Sequence, residues 1–212
     1  PGGTRSLEIA SELVRRGHEV TLLTLGSGDE TRTWTSADYE GIRVCRLQIS
    51  YSNYLADRER KKVFRAFAGA TSRRVLSESF DVVFATSTPL TVGIPALVAK
   101  WVRGKPMVFE VRDLWPSLPI AMGALKNPLN RLAASTLEKI VYRSATSVIA
   151  LSPGIKMGVI RRGIARSRVI VAPNMCSLAG HESSMQDQSD WIADKPELDG
   201  RCLIMYCCTV GR

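Results

Sequence analysis

Nowhere does the 212-residue chain carry an apolar run long enough to cross a bilayer. The longest candidate, 92–99, is broken by Gly93 and Pro95 and stopped by Lys100, which excludes a helical transmembrane protein. A charged stretch followed by an apolar one is also missing from the start, where Pro1-Gly2-Gly3 leads straight into an amphipathic segment, so export by a cleaved signal has no support. There is no initiator methionine, and the opening reads as the middle of a strand-to-helix turn, as expected of a truncated chain. The five cysteines (Cys45, Cys176, Cys202, Cys207 and Cys208) form no CxxC pair and have no histidine at ligand spacing. That pattern argues against a zinc site or a disulfide framework and for a reducing, cytoplasmic compartment. The two histidines, His18 in a helix-to-strand turn and His181 in a polar stretch, have no partner that would make either a base or a ligand. No internal repeat and no low-complexity tract is found.

What is present is the composition of a globular domain, 45% hydrophobic and 23% charged, with an excess of basic residues, 29 against 20, that gives a net charge of +9. The excess implies an anionic partner: nucleotide phosphate, nucleic acid or an anionic membrane face. Short β-branched runs at 19–25, 42–47, 81–85, 106–111, 147–151 and 169–172 read as strands. Helical patterns lie between them at 4–16, 57–77, 90–102, 128–144 and 153–162, with Gly17 and Gly104 at helix ends. Runs such as DVVFA and SVIAL are apolar on both faces, which predicts a parallel sheet covered by helices, a doubly wound Rossmann-like α/β layer. This domain is expected over 1–177. A polar, aperiodic linker follows at 178–201, and CLIMYCCTV reads as the first strand, 202–212, of a further domain that is cut off.

Three segments carry chemistry-bearing residues. Gly2-Gly3-Thr4 precedes the first helix, where bare backbone N–H groups and the positive helix end suit a phosphate; a plain glycine-rich helix start fits equally. The segment KPMVFEVRDLWPSLPIAMGAL sets Glu110, Arg112, Asp113 and Trp115 at or just past the end of a strand, where open α/β sheets bind their ligands. A carboxylate to orient a proton, a guanidinium for phosphate and an aromatic plate for a sugar stand together there; the alternative is an Arg-Asp pair tying down a loop, with Trp115 as core filler. The loop ATSTPLT adds the hydroxyls of Thr86, Ser87 and Thr88, or simply caps the next helix. Two basic stretches, 56–74 and 156–168, suit either an anionic bilayer surface or plain solvation.

Taken together, PGGTRSLEIASELVRRGHEVTLLT, STPLT, VFEVRDLWP, LSPGI and VAPN resemble the N-terminal domain of family-4 glycosyltransferases, notably the bacterial sugar and fucosaminyl transferases of surface-polysaccharide synthesis. The likeness covers most of 1–177. It implies one half of a GT-B fold, in which two Rossmann-like domains face across a cleft, the N-terminal one holding the acceptor and the other the nucleotide-sugar, with the sugar transferred with retention and without a metal or other cofactor. By that resemblance Asp113 and Arg112 are the catalytic candidates, and Gly2, Gly3, Thr4, Arg5, Ser87, Thr88, Glu110, Trp115, Ser152 and Asn174 bind substrate. Many relatives carry His-Asp where this chain has Arg112-Asp113; a guanidinium stays protonated, which moves the expected role of residue 112 from proton relay to stabilising negative charge. The family also carries a strand before the glycine loop and a donor-binding domain with paired glutamates, both expected to lie beyond this chain, and Cys208 stands where relatives place a glycine. The expected partners are a nucleotide-sugar donor, a lipid-linked or saccharide acceptor and an anionic membrane at the inner face of the plasma membrane, with no nucleic acid. The rival readings are a nicotinamide-dependent dehydrogenase, disfavoured by the lack of GxGxxG, and a non-catalytic basic module for nucleic acid or membrane.

Overall fold

The computed structural model describes residues 5–26, 31–51, 55–87, 89–123 and 125–174. The Gly2-Gly3-Thr4 turn, Thr88, the expected linker 178–201 and the expected strand 202–212 lie outside them. Helix α1 (Arg5–Arg15) turns Leu7, Ala10 and Val14, spaced three and four apart, onto Val20, Leu22, Ile42 and Val44. These last residues belong to β1 (Val20–Gly26) and β3 (Ile42–Gln48), which pair in parallel, while β2 (Trp34–Tyr39) pairs antiparallel with the other edge of β3. Glu40 and Gly41 close the β2–β3 hairpin at φ of 51° and 80°, and Asp38 Oδ1 accepts from the Gly41 amide at 3.1 Å. Two left-handed residues in succession match the right-handed twist of a hairpin, which is why a glycine stands at the second.

Helix α2 (Asp57–Ser77) leads to a four-stranded parallel sheet in the order β4 (Val83–Thr86), β5 (Met107–Val111), β6 (Ser147–Ala150), β7 (Val169–Val171). A 3-10 turn at Leu90–Val92 runs into α3 (Gly93–Val102), the short α4 (Ser117–Ala121) follows β5, and α5 (Pro128–Ser144) and α6 (Pro153–Arg161) flank β6. Both long connections start by the same device: Asn127 and Ser152 accept from the amides of the first turn, and proline occupies the next position, where no amide is needed. Met107, Phe109, Val111, Val148, Ala150 and Val169 are fully buried or nearly so, which accounts for the continuous apolar runs of these strands. Gly158 lets α6 approach the β5–α4 loop, since a Cβ there would lie 2.5 Å from Leu114 Cδ1.

The α/β class and parallel pairing agree with the expectation, and two features depart from it. The described strands form two sheets, because β1 and β4 do not pair with each other. Strand β2 and helix α4 escape the periodicity reading: five of six β2 residues are exposed, so no alternation marks it, and α4 has barely more than one turn. Among the described residues no helix is long and apolar enough to cross a membrane, and no group of His, Cys, Asp or Glu is placed to hold a metal.

Between α5 and α6 one buried carboxyl is poorly compensated. Glu138 is 1% exposed and neither of its oxygens has a hydrogen bond of good geometry, although Arg162 Nε stands 3.1 Å from Oε2. Burial outweighs the nearby Arg162 and Tyr142 and pushes its pKa from 4.5 up to about 7. The folded chain then holds a proton at pH values where the unfolded chain has released it, so this site's stabilisation is complete below about pH 4.5 and is lost as pH rises through about 7. Glu138→Gln should flatten the pH dependence of the melting temperature between pH 5 and 8 and raise stability at pH 8 by up to roughly 3 kcal/mol. Parallel melting curves for the two proteins across that range would contradict the assignment.

Candidate functional site

The C-terminal ends of β4, β5 and β7 meet the start of α1 around one carboxylate. Glu110, the fourth residue of β5, is fully buried; its Oε1 accepts from Arg5 Nε at 2.7 Å and its Oε2 from the Thr86 hydroxyl at 2.7 Å. Thr86 is the register partner of Glu110 in β4, so the parallel pairing itself delivers the hydroxyl. The two terminal nitrogens of Arg5 continue outward: one donates to Ala172 O at 2.7 Å, the other to Pro173 O at 2.7 Å and more weakly to Asn174 Oδ1 at 3.5 Å. A single guanidinium thereby ties α1 to the ends of β5 and β7, and every bond it makes is to a charged or carbonyl oxygen.

Next to this knot the chain after β5 is held in place from β4. The Ser87 amide donates to Glu110 O at 2.8 Å, and the Ser87 hydroxyl, 2% exposed with the rest of its side chain, accepts from the Arg112 amide at 2.9 Å. The β5–α4 loop leaves this point as Arg112-Asp113-Leu114, with a cis peptide at Trp115-Pro116. Arg112, Asp113, Leu114, Ser117, Leu118 and Ile155 line an open cleft of about 370 Å³. Within that lining Arg112 is the cation and Asp113 the carboxylate, both half-buried. Such a surface can attract an anionic group and orient a hydroxyl beside it.

Several sequence-predicted residues therefore come together: Arg5, Ser87, Glu110, Arg112, Asp113 and Asn174 lie around the sheet's C-terminal edge. Arg5 and Glu110 engage each other. Trp115 packs with Leu114 against the hydrophobic core, the core-filling alternative of the sequence reading, and Ser152 accepts from the Ile155 amide at 3.2 Å as the cap of α6. Gly2, Gly3, Thr4 and Thr88 fall outside the described residues. Thr86, one of the loop hydroxyls read from the sequence, is taken up by Glu110, its register partner across the sheet.

Residues 2–175 match the family described as the glycosyl transferase 4-like domain. The chain belongs to that family. A comparison with curated proteins gives no match. Among solved structures the chain is similar to sucrose-phosphate synthase from Thermosynechococcus elongatus, at 14% identity and a TM-score of 0.58, over 88% of this chain and 47% of that one. It is also similar to a structure described as trehalose-6-phosphate from E. coli bound with UDP-2-fluoro glucose, at 12% identity and a TM-score of 0.56, over 92% of this chain and 52% of that one. The chain thus spans about half the length of these structures, and at such identities the likeness establishes the fold, that of one half of a GT-B glycosyltransferase.

In this glycosyl transferase 4-like domain the Arg5–Glu110 pair is costly to break, because without Arg5 the Glu110 carboxylate would be a charge held away from water. Arg5→Ala should lower unfolding free energy by about 3 kcal/mol or more in denaturant titrations, and Thr86→Val, which removes one neutral donor, by about 1–2 kcal/mol. Equal effects of the two, or less than about 1 kcal/mol for Arg5→Ala, would show that the pair does not organise this edge.

Proposed function

We propose that this chain is the acceptor-side half of a retaining glycosyltransferase that moves a sugar from a nucleotide-sugar to a lipid-linked or saccharide acceptor in cell-surface polysaccharide synthesis. In this reading 178–201 is a linker, a donor-binding domain begins at 202, and the enzyme works on the cytoplasmic side of the membrane without a metal or other cofactor. The observation that carries it is the Arg112-Asp113 pair on the cleft at the C-terminal edge of a parallel sheet, held there by Ser87, in a chain of this family. The UDP-2-fluoro glucose bound to the E. coli structure supports a nucleoside diphosphate sugar as donor.

Each group then has a part. Asp113 orients the acceptor hydroxyl and takes up its proton as the oxygen attacks the anomeric carbon; the diphosphate leaves on the same face, and Arg112, which stays protonated, offsets its growing charge. Arg5, Glu110 and Thr86 hold the edge and touch neither substrate. In the complete enzyme Asp113→Asn should lower kcat for sugar transfer at least about 100-fold with the melting temperature little changed. Arg112→Ala should cost less, on the order of 10- to 100-fold, and raise the KM for the donor. Full transfer by a folded Asp113→Asn enzyme would remove Asp113 from this role.

A further inference from the structure

The positive charge of the chain is concentrated in one part of the fold. Between Leu114 and Asn174 stand nine basic residues and a single acidic one, Glu138, and that one is buried. This stretch therefore carries +8 of the chain's +9, and it builds α4, α5 and α6. On the same helices large apolar side chains face solvent. Leu129 is 74% exposed, Met122 68% and Leu132 66%, and Leu118 and Met157 are exposed as well. Leu129 and Leu132 are one turn apart on α5, and Met122 stands at the C-terminal cap of α4, four residues after Leu118.

On α5 and α6 apolar and basic side chains share one surface. A groove of about 630 Å³ is lined by Leu132 and Ile140 together with Lys139, Arg143, Arg161 and Arg162. Arg162 reaches from this groove to the Ser117 hydroxyl at 3.3 Å, and Ser117 also lines the Asp113 cleft, so the apolar and basic surface adjoins the candidate site. Helix α2, the other basic helix, is built differently. Its phenylalanines are used inside the fold, Phe67 against Trp34 and Phe64 against Tyr51, and its exposed residues before Leu76 are Arg, Lys, Glu and Gly. At the end of α3, Trp101 and Val102 are exposed, but the neighbouring Arg103 is spent on the carbonyls of Val75 and Leu76.

We infer that the α5–α6 face, continued by Leu118 of α4, docks onto an anionic lipid bilayer, with Leu129 and Leu132 entering the interface and the surrounding arginines and lysines meeting lipid phosphate. Nucleic acid would satisfy the charge but leaves no use for exposed leucine and methionine, whereas a bilayer surface takes up both. The geometry places the Asp113 cleft beside the membrane, where a lipid-linked acceptor presents its head. The inference deepens the lipid-linked acceptor reading, yet vesicle binding is measured without any sugar transfer, so each can fail alone.

The test is co-sedimentation of the full chain with vesicles of phosphatidylcholine alone and with 30% phosphatidylglycerol. Binding is expected only to the anionic vesicles and should weaken as salt rises. Leu129→Glu with Leu132→Glu should reduce it at least tenfold, as should Arg143→Glu with Arg161→Glu, while Lys61→Glu with Lys62→Glu on α2 should change it less than threefold. Melting curves check folding, and the arginine pair keeps the test open if the leucine pair fails to fold. Absence of binding to anionic vesicles, loss caused by the α2 pair instead, or a leucine pair that changes only the oligomeric state would each overturn the docking face.

Discussion

A carboxylate with no access to water sits at the C-terminal end of β5, and the edge around it is arranged to keep that tolerable. Glu110 needs a cation, and the cation comes from Arg5, 105 residues earlier at the start of α1. Once Arg5 is fixed there, its remaining donors must also be satisfied, and the carbonyls of Ala172 and Pro173 satisfy them. Burial of one charge thus brings together three segments that local propensity would leave independent. A hydrophobic pair of the same volume would hold them as tightly, but without direction; the forked guanidinium sets the angle between the helix and the two strand ends.

The geometry of the Arg112-Asp113 loop follows from this knot at one remove. Ser87 lies one residue beyond Thr86, so the strand pairing that brings the Thr86 hydroxyl to Glu110 also brings the Ser87 hydroxyl to the Arg112 amide. From the other side Gly158 of α6 makes room for Leu114. The chain between these two constraints is short, which leaves Arg112 and Asp113 little choice but to face the cleft.

Much of this was readable in the residues. The bounds of α2 and α5 coincide with the helical patterns at 57–77 and 128–144, because Asn127-Pro128 marks a start that few alternatives compete for. Strand ends moved by a residue or two, since an apolar run does not say where pairing stops. The antiparallel β2 was invisible because an edge strand with both sides largely wet has no period to detect. At the site, strand-end position alone marked Glu110, Arg112 and Asp113. What it could not show was which charges pair with one another, as Arg5 and Glu110 do. Pairing of that kind spans 105 residues and leaves no local trace.

The distribution of charge resolves a tension that composition alone leaves standing. A net +9 spread evenly would be a solubility device; here the residues before Leu114 sum to +4 and those after Asn174 to −3, while the stretch between them, which builds α4, α5 and α6, carries +8. Crowding nine cations with one buried anion raises their mutual repulsion, and a fold bears that cost more readily where the surface is covered by opposite charge in use. Glu138 is placed where it relieves little of the field, since burial keeps its carboxyl protonated up to about pH 7. As pH rises through about 7 the carboxyl ionises, and only then does the one acidic residue of this stretch begin to offset the charge of its neighbours.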